Sequence, residues 1–353
     1  MSSVAVPHLR VDRGRALALP ALGLLLLATA VIGLGTGAIG IPASEVLGAL
    51  MRGIDGSASQ GDDQIVLMLR LPRVLMAALV GASLACSGAA MQGLFRNPLV
   101  EPGLIGVSAG AALGAIGMMV LGAPLLAALP AFAGSLGVAT MAFVGGLSAT
   151  MLVYVLGRRR AGMATLLLAG VAINAIAMAG VGLLTFMANE RQLRDLSFWT
   201  LGSLGGTDWR RLAAVALPML LPVLWLPRYA RALNALLLGE TEAALLGFHP
   251  QRVRVRLIVL VALATSAAVA MCGVIGFVGL LVPHVLRLVW GPDHRLLMPG
   301  SALAGASLLI AADAVARIVV APAELPIGVL TALLGGPFFL WLLMRTRIGE
   351  AQA

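Results

Sequence analysis

Residues 233–254 read LNALLLGETEAALLGFHPQRVR, two short apolar runs split by Gly239-Glu240-Thr241-Glu242 and closed by Gly247 and Pro250. Neither run reaches the ~20 residues that cross a bilayer, and isolated helices shorter than ~12 residues are marginal in water. The second run nevertheless has helix punctuation. Glu240 and Glu242 stand near its start, Gly247 is a stop, and Pro250 lies just beyond. Two stubby helices with an acidic turn between them persist only if they dock against something, so the surroundings decide how they are read.

Those surroundings are hydrocarbon. Of 353 residues, 60% are hydrophobic and 11% charged, more apolar surface than a water-soluble core of this length can hide. Residues 16–38, 74–95, 161–189 and 325–344 are uncharged and each is long enough to span. The gap from Glu101 to Arg158 is longer still and contains Pro124 and Pro130, so it reads as two spans with a tight turn. Open sheets cannot satisfy their backbone in lipid. The expected fold is therefore an all-α polytopic membrane protein, one transmembrane domain over residues 1–353 with about ten spans. We place them near 16–38, 72–95, 100–121, 126–156, 162–188, 211–227, 255–273, 276–290, 299–320 and 326–345. The uncharged stretch 257–286 is split because Gly273, Gly276, Gly279 and Pro283 crowd it.

All 24 basic residues are arginine. Without lysine there is no Walker A loop and no Schiff-base chemistry. The net charge of +9 is explained by arginine held on the cytoplasmic side rather than by nucleic-acid binding. With the N-terminus inside, inner segments hold 16 arginines and outer segments 8, which puts both termini in the cytoplasm. The same count places the loop at about 229–254 in the cytoplasm. An interfacial loop resting on lipid is the plainer reading of that segment, but Glu240 and Glu242 disfavour an anionic leaflet. The run after Arg10, Arg13 and Arg15 is longer than a signal-peptide core and lacks a convincing cleavage site, so it reads as a retained first span.

LNALLLGETEAALLGFHPQRVR resembles the coupling-helix loop of permease subunits in the iron-siderophore, haem and cobalamin family of ABC importers, the type II importers with a BtuC-like permease fold. LRLPRVLMAALVGASLACSGAAMQGLFRNPLVEPGLIGVSAGAALGA (69–115) resembles that family's second and third spans. GFVGLLVPHVLRLVWGPDHRLLMPGSALAGA (276–306) and ARIVVAPAELPIGVLTALLGGPFFLWLL (316–343) resemble its C-terminal third. The resemblance implies a homodimer of ten-span subunits in the bacterial inner membrane. Two cytoplasmic ATPase subunits would carry the ATP and Mg²⁺, and a periplasmic binding protein would deliver cargo. No cofactor would be bound by this chain and no catalysis performed by it. The coupling contact would fall on Leu238, Gly239, Glu240, Glu242, Ala244 and Gly247. The family resemblance also implies an outward patch of Arg70, Arg73 and Arg317 that pairs with carboxylates of the binding protein, a task suited to a planar guanidinium. Simple headgroup anchors are the alternative.

Gln92, Asn174 and Asp313 sit at membrane depth, where polar groups are expensive. Gln92 and Asn174 are candidates for the translocation path or for interhelical hydrogen bonds, and Asp313 with Arg317 for an ion pair four residues apart. Gly106, Gly110 and Gly114 form a small-residue face suited to close helix packing or to sliding. His284, beside Pro283, reads as a structural hydrogen-bonder. His249 and His294 fall in loops without a partner pattern, and no cluster suggests a metal. Cys86 and Cys272 read as packing residues. RDLSFWTLGSLGG, within 189–209, resembles the haem branch more than the siderophore or cobalamin branches. Two other classes would need groups of their own. A secondary transporter needs midplane ion-coupling carboxylates, and an intramembrane enzyme needs a nucleophile with its base. The sequence supplies neither set.

Overall fold

A computed structural model describes residues 13–128, 130–157 and 163–350. Arg10, Arg158, Arg159 and Arg160, which carry part of the charge asymmetry, lie outside the described residues. The described chain is helical, without a strand. In order it forms α1 (Arg13–Gly35), α2 (Ala43–Ile54), α3 (Leu71–Phe95), α4 (Val107–Val120), α5 (Ala131–Gly157), α6 (Met163–Met187), α7 (Glu190–Leu201), α8 (Trp209–Trp225), α9 (Ala230–Leu238), α10 (Glu240–Leu245), α11 (Pro250–Cys272), α12 (Val278–Trp290), α13 (His294–Ala316) and α14 (Ile327–Glu350). Seven helical segments are long and apolar enough to cross a membrane, and three shorter apolar helices (α4, α12 and much of α14) complete the expected ten.

The boundaries depart from expectation in an informative way. The third span was expected to begin at residue 100, but Pro102–Ile105 is a 3₁₀ turn and Gly106 adopts φ 92° before α4 starts at Val107. The proposed split of 257–286 is real. α11 ends at Cys272, Gly273 turns at φ 71°, and Phe277 starts α12 from φ 67°, a left-handed conformation uncommon for a bulky residue. The stretch 189–209 contains a helix, α7. Its cap is reciprocal: Asn189 accepts from the Gln192 N–H while Gln192 accepts from the Asn189 N–H.

α3 is the centre of the bundle. Its most apolar window is 83% buried, against 17% for α1 on the periphery. α13 runs antiparallel to α3, so Arg73 meets Asp313 at one end while Gly93 meets His294 at the other. Glycine permits this closeness. A methyl group on Gly81 would overlap the Gly305 carbonyl, one on Gly88 the Gly279 carbonyl, and one on Gly110 would lie 2.5 Å from the Gly145 carbonyl oxygen. The Gly106/Gly110/Gly114 face thus packs α4 on α5, backbone against backbone, as small-residue stripes do in lipid. We expect Gly88→Leu to lower unfolding stability in detergent by about 1–3 kcal/mol or to abolish folding. Gly23→Leu, with nothing within 4 Å of the new Cβ, should be neutral in the same thermal-unfolding assay.

Candidate functional site

Three regions are candidates for function, two at opposite ends of the bundle and one within it. At the first end, a π-helical turn, Ile65–Arg70, leads into α3, and the Trp209 indole N–H caps its Leu67 carbonyl at 3.0 Å. Arg70, Arg73 and Arg317 do converge here. They do not form an open patch. Arg70 is 7% exposed and donates to the carbonyls of Leu34 (2.7 Å), Gly35 (2.9 Å) and Ile39. Arg317, also 7% exposed, donates to Gly33 (2.8 Å) and Thr36 (2.7 Å). The last carbonyls of a helix lack partners within the helix. Two guanidinium groups supply them to α1, and this is the physical reason both arginines are turned inward.

Arg73 forks between two carboxylates, reaching Asp313 at 2.8 Å and Glu324 at 2.9 Å. Asp313 is 2% exposed and is held also by Arg317 at 3.2 Å, so the ion pair four residues apart is present. Hydrogen bonds from Arg73 hold the Glu324 carboxyl below its usual range, against the desolvation that would raise it. The contribution of such a group is present above the ordinary carboxylate pKa and fades as pH falls through the depressed value.

At the opposite end, α9 buries Leu233, Ala235 and Leu236 against the bundle, while α10 buries only Ala243. The apolar runs therefore persist as helices for different reasons, α9 by docking inward and α10 as an extension of it. Gly239 links them at φ 141°, with the Glu242 carboxylate folded over the space a side chain would fill. Glu240 pairs with Arg254 at 2.5 Å on the following helix. Leu238, Leu245 and Leu246 are exposed, Leu245 by 85%, and Ala244 lies on the same exposed tip. Gly247 ends the short helix with φ 85°.

This loop is tied down by residues whose part the sequence did not disclose. The Asn234 amide donates to Asp293 at 2.6 Å, and its Oδ1 accepts from the His294 backbone N–H at 2.9 Å. His294 is no loop residue without a partner. It opens α13, is wholly buried, has Nδ1 2.9 Å from Asn234 Oδ1, and fills the space left by Gly93. Burial pushes the Asp293 carboxyl up, but the Arg295 N–H and the Asn234 amide outweigh it and leave it below the usual range. His284 also corrects expectation. Neither of its ring nitrogens has a hydrogen-bond partner, and the ring meets Phe338 edge-on at 6.3 Å.

Between the ends lies a cavity of about 450 Å³, walled by α4, α6, α7, α11 and the break before α12. Asn174 lines it and donates to the Gly103 carbonyl at 3.2 Å. Gln92 does not line it. It is 1% exposed and its amide reaches the Gly279 and Leu280 carbonyls at 3.4 and 3.3 Å, joining α3 to α12. Glu101, Ser108, Thr200 and Thr265 also face the cavity; Thr200 belongs to the RDLSFWTLGSLGG stretch already noted, whereas the sequence context of the other three did not single them out. Among the described residues no group of His, Cys, Asp or Glu is arranged to hold a metal.

This bundle, broken beside a cavity and carrying a tethered knob at one end, is the architecture of a transport subunit. Residues 25–345 match the FecCD transport family, and the chain belongs to it. The hemin transport system permease protein HmuU of Yersinia pestis is 51% identical over 287 residues, 80% of this chain and 84% of that protein. The vitamin B12 import system permease protein BtuC of Klebsiella pneumoniae subsp. pneumoniae is 42% identical over 347 residues, 98% of each. A solved metal-chelate type ABC transporter in an inward-facing conformation superimposes with TM-score 0.80 at 34% identity, covering 93% of this chain and 98% of that one. The chain is thus a multi-pass permease subunit of an ABC importer, a family in which hydrolysis of ATP lies in a separate partner and a substrate-binding protein is implied. The ion-coupled secondary transporter is set aside on that ground.

Removing the acid at the centre of the first cluster should be costly. We expect Asp313→Ala, which strands Arg317 without its carboxylate, to destabilise the protein by about 3–5 kcal/mol, read as a loss of unfolding midpoint in detergent. Glu324→Gln should cost at most about 1 kcal/mol at neutral pH because the group is half exposed. That difference should close as pH falls below about 4.

Proposed function

We propose that this permease moves haem from the periplasm to the cytoplasm by alternating access. The observation that carries the reading is its 51% identity to the hemin permease HmuU. The haem-like stretch RDLSFWTLGSLGG supports it, since it forms the end of α7 and brings Thr200 to the cavity. Vitamin B12 stands as the second reading because the Klebsiella pneumoniae BtuC matches nearly end to end, and an iron–siderophore chelate as the third. The working assembly is two copies of this chain in the inner membrane with both termini cytoplasmic, two ATPase subunits holding ATP and Mg²⁺, and a periplasmic binding protein. Lipid covers the exposed faces of the outer helices.

In this scheme the loaded binding protein docks on the end that carries Arg70, Arg73 and Arg317. Arg73 is the guanidinium presented first, because Glu324 is its half-exposed and replaceable partner. Arg70 and Arg317 support that surface from below. At the other end the ATPase grips Leu238, Gly239, Glu240, Glu242, Ala244 and Gly247. The Asn234–Asp293–His294 tie passes its movement to α13, and through α13 to α3.

The deciding experiment is ATP-dependent uptake into proteoliposomes holding the permease, its ATPase and its binding protein. Haem should accumulate, and ferric siderophore and cobalamin should not. Uptake of cobalamin in place of haem would overturn the reading. Leu245→Arg tests the coupling loop. Since Leu245 is exposed, we expect unchanged thermal stability, with uptake and cargo-stimulated ATP hydrolysis both reduced by about tenfold or more, as for loss of an interface anchor.

A further inference from the structure

The cavity is predominantly apolar, and Glu101 is the one charged side chain lining it. A Cβ on Gly103 would lie 3.3 Å from Glu101 Oε1 and 3.5 Å from Ser108 Oγ, so carboxyl and hydroxyl share one corner. The Phe277 N–H at the start of α12 faces the same carboxyl. Two further polar atoms lack any partner: Asn174 Oδ1, and the hydroxyl of Thr265, whose side chain is 2% exposed. Buried polar groups are nearly always paired. Unpaired ones gathered around a cavity mark a place where something else supplies the hydrogen bonds.

From this geometry we infer that Glu101 is the proton-carrying contact for the cargo's carboxylates, donating a hydrogen bond when protonated and repelling them when ionised. The inference rests on the haem reading, because haem carries two propionate groups. Among the described residues, no element around the cavity brings a competing charge to it. The lining residues from α3, α4, α6, α7, α11 and the 273–279 break are all uncharged. Burial raises the Glu101 carboxyl above its usual range, with the Phe277 N–H opposing, so the acid form is accessible closer to neutral pH than for an exposed glutamate. An arginine here would bind a propionate tightly and hold it. A carboxylic acid binds weakly and lets go, as a passage requires.

The test uses the complete transporter, with ATPase and binding protein, in proteoliposomes from the ordinary glutamate range up to about pH 8. Initial uptake of haem is compared with that of its dimethyl ester, which lacks the carboxylates. In the wild type, haem uptake should fall as pH rises, by up to about tenfold per unit once the acid is ionised. Glu101→Gln should keep the low-pH rate throughout, and the ester should be insensitive to both changes. An equal pH slope in wild type and variant, or an equal loss of ester transport in the variant, overturns the inference. Should Glu101→Gln fail to fold, Glu101→Asp must shift the midpoint; an unmoved midpoint is likewise fatal. A cargo-free reading separates this from the haem assignment. Infrared difference spectra of the assembled transporter should show a protonated carboxyl band that titrates in the same range and disappears in Glu101→Gln. If no haem is transported at any pH, the cargo reading fails, and that band alone upholds the protonated acid by its presence or refutes it by its absence.

Discussion

In hydrocarbon an unpaired carbonyl has no water to turn to, and this constraint governs every place where a helix stops inside the bundle. The end of α1 shows it most plainly. Its final carbonyls, with those of Thr36 and Ile39 just beyond, are taken by Arg70 and Arg317 from two other helices. A third arginine, Arg73, then neutralises the Asp313 that Arg317 needs. The three positive charges are therefore one structural unit before they are anything else. Its single replaceable link is Glu324, on the connection into α14. In the proposed docking, a partner's carboxylate would meet a guanidinium already oriented and already paired, so binding would exchange one ion pair for another instead of ordering a loose side chain.

The same constraint explains the break between α11 and α12. Five residues outside any helix, 273–277, would be intolerable against lipid. Here their neighbours are protein: Ser203 donates to the Cys272 carbonyl at 2.7 Å, the Trp199 carbonyl closes on Gly273, and Phe277 is wedged against Gly335. Phe277 holds a left-handed backbone at a cost of order 1–3 kcal/mol, and it borders the cavity. Strain, an interrupted helix and unpaired polar atoms thus coincide. Elsewhere α3, α12 and α13 touch backbone to backbone through Gly81, Gly88, Gly279 and Gly305, which leaves little room for change. The helices are closely matched along the centre, and the 273–277 interruption falls beside the cavity.

Much of this was legible in the residues. Length and hydropathy gave ten crossings, the crowded glycines announced the 273–277 break, and glycine with acidic punctuation gave the two helices around Gly239. Composition could not reveal that Arg70 and Arg317 face inward, because an arginine near a span end looks alike whether it anchors to headgroups or caps a neighbouring helix. Gln92 and Asn174 look alike for the same reason, each a lone amide in an apolar run. One joins two helices and the other faces a cavity, and the difference lies in which helix packs alongside. His294 was misplaced because its partners, Asn234 and the space over Gly93, are distant in sequence. Glu101 was hidden by its neighbours, since a carboxylate before proline and glycine reads as a turn.

The coupling loop joins these observations. Its tip exposes leucines that the bundle does not need, whereas its base is bound by Asn234 to the very start of α13. α13 ends, some 23 residues later, at Asp313 and Arg317. At ~1.5 Å per residue that helix carries a rigid link of roughly 35 Å from the knob to the arginine cluster, packed throughout on α3. α9 is attached there through a paired amide and a buried ring rather than a flexible linker. α13 packs along α3, and α3 bears Gly88 against Gly279 in the first turn of α12, beside the break. In the proposed assembly, an ATPase gripping one end would thus be linked to both the arginine cluster and the cavity wall through two helices in close contact.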